Sequence, residues 1–142
     1  MTIPTRALGC ATPQGKIWPT MDASIYTAQK VDCHCHVLDP SNFAYAEGVH
    51  YRPCGQETGT AGYFAQVLDT YGVQYALLVG PNSGYDFDNR CMLAAIQEGQ
   101  GRFKGIAVVS LDASTQELQD LKAQGIVGAA RRVWSEPLHL GF

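Results

Sequence analysis

The chain has 142 residues, 46% of them hydrophobic and 16% charged, which suits one globular domain with a real core. A net charge of −3 and a pI near 5.7 leave no basic stripe for nucleic acid, although a single arginine is enough to bind an anionic small molecule. The apolar runs ALLVG and GIAVV are too short to span a bilayer, and the N-terminus MTIPTRALGCATPQG lacks a signal peptide's apolar run, so the five cysteines read as reduced thiols of a cytoplasmic protein.

Residues 1–28 form an irregular lead-in punctuated by Pro4, Gly9, Pro13, Gly15 and Pro19. KVDCHCHV (30–37) alternates with period two and predicts a strand. A long loop, 38–58, carries Pro40, Gly48, Pro53 and Gly55. TAGYFAQVLDTY (60–71) predicts a helix with Tyr63, Phe64, Val67, Leu68 and Tyr71 on its buried face, stopped by Gly72. VQYALLV (73–79) is almost wholly apolar, as a strand covered on both faces should be. After the loop GPNSGYDF (80–87), Asp88 or Asn89 caps a helix whose core side is Met92, Leu93 and Ile96 and which ends at Gly99 and Gly101. FKGIAVVS (103–110) is a third strand, Ser114 with Glu117 forms a capping box for a helix that ends at Gly125, and IVGAAR (126–131) is a fourth strand.

The order β-α-β-α-β-α-β calls for parallel strands with helical crossovers. Two α/β architectures fit: part of a (β/α)8 barrel, about four units of it, and a small doubly wound parallel sheet.

VDCHCHV decides where chemistry lies. In an unbroken strand Asp32, His34 and His36 share one face, while Cys33 and Cys35 share the other with Val31 and Val37. One zinc cannot collect ligands from both faces of a strand, which counts against a zinc knuckle, a third reading that would require stoichiometric metal lost on removing Cys33 or Cys35. The thiols read as small core residues and the imidazoles as an open pair at the C-terminal end of the strand, where parallel α/β folds place their sites. In the same terms Ser83 and Tyr85 lie on the loop after the second strand, and Arg131 ends the fourth strand, where its guanidinium can fork a substrate carboxylate. Asp39 reads as a turn former, Arg90 as a surface residue, and His50, His139, Cys10, Cys54 and Cys91 as structural.

DCHCHV, YRP, YGVQYALLVGPNSGYDFDNR, GRFKGIAVV and LKAQGIVGA, in that order, resemble the N-terminal half of the amidohydrolase-related hydrolases, on the branch of 2-pyrone-4,6-dicarboxylate hydrolase and related lactonases. The resemblance covers roughly residues 30–130. It implies an eight-stranded barrel, a lactone or carboxylate substrate, and hydrolysis of a cyclic ester or amide bond. It makes His34 and His36 the catalytic pair, with Tyr51 as a substrate contact. Some members hold a divalent metal, zinc or manganese, through that pair, and others work without one.

The pattern stops near Ala130, and RRVWSEPLHLGF (131–142) diverges from it. The late-strand histidine and aspartate that such a site also needs have no counterpart. The expectation is therefore a truncated, weakly active or inactive hydrolase that self-associates through its open sheet edge. The competing expectation is a non-catalytic α/β binding or assembly domain.

Overall fold

The computed structural model describes residues 24–131, with the side chains of residues 25 and 26 left aside. Most of the lead-in, with Cys10, and the divergent tail after Arg131, with His139, lie outside the described residues. The end of the lead-in is a single helical turn, α1 (Ser24–Thr27). The remaining elements are β1 (Val31–Cys35), α2 (Ala61–Thr70), β2 (Tyr75–Val79), α3 (Arg90–Glu98), β3 (Phe103–Val109), α4 (Thr115–Ala123) and β4 (Ile126–Arg131). A 3-10 turn, Gly55–Glu57, interrupts the long loop after β1.

Local chemistry sets the helix ends. Thr60 Oγ1 accepts from Tyr63 N–H at 3.3 Å, and Ser114 Oγ accepts from Glu117 N–H at 3.1 Å. Gly72 and Gly125 follow α2 and α4 with φ of +63° and +99°, a turn that side-chain-bearing residues resist.

The four strands are parallel and lie in the order β1-β2-β3-β4. Each crossover steps one strand in the same direction. A doubly wound sheet reverses direction at a switch point, and none occurs among the described strands.

One face of the sheet carries the helices. Ala76, Leu78, Phe103, Ala107, Val109 and Ile126 form one core with Leu68 of α2, Met92, Ala95 and Ile96 of α3, and Leu121 of α4. The opposite face holds Val31, Tyr75, Leu77, Val79 and Ile106, and no helix covers it among the described residues.

Three expectations are corrected here. Tyr63 and Tyr71 of the predicted α2 face are exposed, while Phe64 and Leu68 of that face pack as expected and Ala61 and Ala65 join them. β2 is not covered on both sides, since its burial alternates and Tyr75 is exposed. β1 does not alternate strictly. Asp32 pairs with Ala76 and Cys35 with Leu78, so Cys33 and His34 stand together opposite Leu77 in a β-bulge. The bulge moves Asp32 onto the helix-side register and leaves Cys33 exposed, while Cys35 and Val37 join the core as expected.

Candidate active site

β1 delivers both imidazoles to the C-terminal end of the sheet. Within the bulge, Asp32 Oδ1 accepts the His34 backbone N–H at 3.1 Å, which fixes its shape. His36 lies one residue beyond β1, between the core residues Cys35 and Val37, so its ring turns to the open face. The two rings meet edge to face with centroids 5.1 Å apart, and both are exposed.

His36 Nδ1 lies 2.7 Å from the carbonyl oxygen of Val79, at the end of β2. A carbonyl only accepts, so Nδ1 carries the hydrogen. In the neutral ring the lone pair is then on Nε2, the atom left for a ligand. A neutral His36 thus presents an acceptor or metal ligand, and a protonated one presents a donor.

The donor set bears on a metal. A catalytic zinc takes three protein ligands, and no group of three His, Cys, Asp or Glu suited to a metal occurs among the described residues. The two imidazoles do not make a metal site by themselves.

The loops 38–59 and 80–89 build the mouth. Gly84 N–H donates to Tyr51 O at 3.1 Å, and Ala46 N–H donates to Gly84 O at 2.8 Å, which locks the two loops together. Beside this seam lies a cavity of about 360 Å³ lined by His50, Tyr51, Asn82, Ser83 and Asp86. Tyr51 and Ser83, predicted separately, are therefore neighbours. His50 joins them, although the sequence reading set it aside, and its only signal was adjacency to Tyr51. The Glu57 carboxylate, hydrogen-bonded to the Tyr51 phenol, holds its pKa above the usual value. Two larger clefts, about 560 and 620 Å³, lie along α4 and β4 and at the N-terminal end of the sheet, and neither is lined by an imidazole.

Tyr85 and Arg131 stand apart from this group. Tyr85 is 2% exposed, and its hydroxyl accepts the Asp39 N–H at 2.8 Å, so it fastens the loops from within the core. Arg131 pairs in register with Val109, a core residue of the helix side. A second bulge causes this: Gly105 pairs with Ile126 but Ile106 with Gly128, so the extra Val127 reverses the alternation before Arg131.

No protein-family profile matches the chain. Over 102 residues it is 34% identical to 2-pyrone-4,6-dicarboxylate hydrolase of Comamonas testosteroni, a match spanning 71% of this chain and 32% of that protein. Over 98 residues it is 26% identical to 4-sulfomuconolactone hydrolase of Hydrogenophaga intermedia, spanning 68% and 31%. The fold matches the crystal structure of an Acinetobacter baumannii protein named as a probable 2-pyrone-4,6-dicarboxylic acid hydrolase, with citric acid bound. The TM-score is 0.64 at 36% identity, covering 72% of this chain and 37% of that one. The chain thus spans about a third of the length of the curated relatives it matches. In sequence and in fold it is a relative of lactone hydrolases, matched over that third.

Proposed function

We propose that this chain carries the first-strand histidine pair and part of the mouth of a cyclic-ester hydrolase of the amidohydrolase class, on one segment of an eight-stranded α/β barrel. The observation that supports this best is the pair of exposed imidazoles 5.1 Å apart at the C-terminal end of β1, with His36 oriented by Val79. Parallel barrels place their sites at that end, and the consecutive strand order suits a barrel segment. The substrate class is a lactone bearing carboxylates, of the kind the Comamonas relative is named for.

Hydrolysis adds water to the ring carbonyl and breaks the ring C–O bond, leaving a carboxylate and a free hydroxyl. Negative charge gathers on the carbonyl oxygen as water attacks, so that oxygen needs a donor. A protonated His36 offers Nε2–H, because Nδ1–H is already committed to Val79. His34, at its edge, is the second contact. Ser83 offers a hydroxyl to a carboxylate arm from the cavity between the two loops, and the Tyr51 phenol, its proton held by Glu57, forms the wall beside it. A divalent metal, zinc or manganese, would need ligands beyond the described residues, and no step is written through one. No carboxylate stands beside the two imidazoles as a water activator among the described residues, so we expect this polypeptide to bind ligand with little turnover. The four described cysteines are free thiols, which suits a cytoplasmic setting.

The test is a titration of the protein with 2-pyrone-4,6-dicarboxylate, followed through the ¹⁵N signals of the imidazoles. His34 and His36 shift together, and His36 reports the Nδ1–H tautomer before ligand is added. Substituting His36→Ala weakens binding about tenfold or more, the scale of a lost charge-assisted hydrogen bond. Saturable binding that leaves both imidazoles unmoved overturns the reading. Turnover matching the Comamonas enzyme would overturn the incomplete-site part of it.

A further inference from the structure

β2 ends at Val79, while β3 continues beyond it. The last backbone bond across this seam runs from Gly80 N–H to Ile106 O at 2.8 Å. Along a strand, alternate residues turn both their N–H and C=O toward the same neighbour. The next pair facing β2 therefore belongs to Val108, and no β2 peptide is there to meet it.

A side chain meets it instead. Asn89 Oδ1 accepts from Val108 N–H at 3.0 Å, and Asn89 Nδ2 donates to Val108 O at 2.9 Å. Nδ2 also donates to Phe87 O at 3.1 Å, in the loop after β2. These partners fix which end of the amide is oxygen, because a backbone N–H only donates and a carbonyl only accepts. Asn89 gives up its ordinary use to do this. It occupies the cap position of α3 but makes no side-chain cap bond. Asp88 supplies that bond, its Oδ1 accepting from Arg90 N–H at 3.0 Å while the carboxylate also grips the Arg90 guanidinium.

The seam is tight as well as bonded. A Cβ on Gly80 would fall 2.9 Å from Val108 Cγ2 and 3.2 Å from Val108 N. Val108 is 2% exposed although it lies outside the helix-side core cluster.

We propose that Asn89 is a positioning residue. Its carboxamide takes the place of the absent β2 peptide and pins loop 80–88, with Ser83, to the C-terminal end of β3 as one wall of the ligand mouth. The link to ligand rests on the lactone-binding reading above; the link to the loop does not. Asn89 touches no reacting atom and acts through the loop.

The test compares Asn89→Ala and Asn89→Asp with the unaltered protein. Asparagine and aspartate fill the same space, but an aspartate carboxylate faces the Val108 and Phe87 carbonyls without a donor. The first readout is hydrogen exchange of the Gly84 and Asp88 amides of the loop, bonded to Tyr51 O and Tyr85 O, because the Val108 N–H keeps an acceptor in the aspartate variant. The expected order of protection is Asn, then Ala, then Asp, with exchange about tenfold faster or more in the aspartate variant. The second readout is affinity for 2-pyrone-4,6-dicarboxylate, which falls in the same order. If Asp protects these amides as well as Asn, Asn89 only fills space and the proposal fails. Should neither variant fold, through-bond coupling from Asn89 Nδ2 to the Val108 carbonyl in the unaltered protein decides, and its absence overturns the proposal. A protein that binds no lactone while the exchange order holds refutes the lactone reading alone.

Discussion

Asp39 donates its backbone N–H to the Tyr85 hydroxyl inside a pocket shared with Tyr45 and Cys91. Removing that oxygen with Tyr85→Phe leaves the N–H without its acceptor, which costs about 1–3 kcal/mol. The urea midpoint should fall while the denaturant slope stays constant. The same pocket makes the fold sensitive to alkali. Burial raises the Cys91 thiol above its ordinary 9.0 and the Tyr85 phenol above its ordinary 10.0. Below both ordinary values the folded and unfolded chains hold the same protons, and this stability is complete. As pH rises past 9 and then 10, the unfolded chain releases protons that the folded chain keeps, so stability falls. Urea unfolding followed across this range should show the decline, and Cys91→Ala should reduce the part that begins near 9 without removing it, because burial also pushes the Cys35 thiol from 9.0 up to about 12. A flat profile in the unaltered protein would contradict this assignment. Residue type alone was a poor guide at this position. A tyrosine in a glycine-rich loop reads as a rim group, whereas the folded loop turns it inward to satisfy a backbone donor.

The elements were legible where one periodicity ran unbroken. All four strands and the three longer helices fall where the pattern of apolar residues, caps and glycines puts them. What the pattern could not carry was parity. Each edge strand holds one bulge, at Cys33 and His34 in β1 and at Val127 in β4, and each reverses the faces of the residues on one side of it. His34 and His36 keep their common face because the β1 bulge includes His34. Arg131 comes into register with Val109 on the helix side because the β4 bulge precedes it. Nothing in VDCHC or IVGAAR announces an extra residue, since bulges answer to the twist and pairing of the neighbouring strand. The helices differ in how firmly they are held. α3 buries Cys91, Met92, Ala95 and Ile96, whereas α4 buries only Leu121. α4 therefore leans on its cap, and Ser114→Ala should cost about 1 kcal/mol. Amide exchange should find α4 opening well before α3, and the substitution should widen that gap. Equal protection of the two helices would show that α4 has an anchor besides Leu121.

At the scale of the whole molecule, the consecutive strand order leaves one sheet face and both edges without partners among the described residues. Val31 is 56% exposed and Tyr75 52%, and they are paired in register on the face opposite the helices. Lys104 stands opposite Leu77 on that face, the only charged side chain that β2 and β3 place there. Parallel sheets are stable when both faces are covered, and β1 and β4 each present an edge that pairs with no other described strand. This face was only half readable from sequence. The apolar run of β2 signals a strand meant for burial on both sides, yet it carries no information about which segment supplies the second layer. A polypeptide of these 142 residues should therefore associate reversibly in solution. Sedimentation velocity across a micromolar concentration series should show a weight-average mass that climbs with concentration. Lysine at either position places a charge where apolar contact is needed. Val31→Lys and Tyr75→Lys should each weaken association about tenfold, near 1.4 kcal/mol, without lowering the urea midpoint measured at dilutions where the protein is monomeric, because neither side chain belongs to the helix-side core. The combination of weaker association and unchanged unfolding separates a contact surface from a packing defect. A species that stays monomeric throughout the series would mean that this face is already covered within the chain.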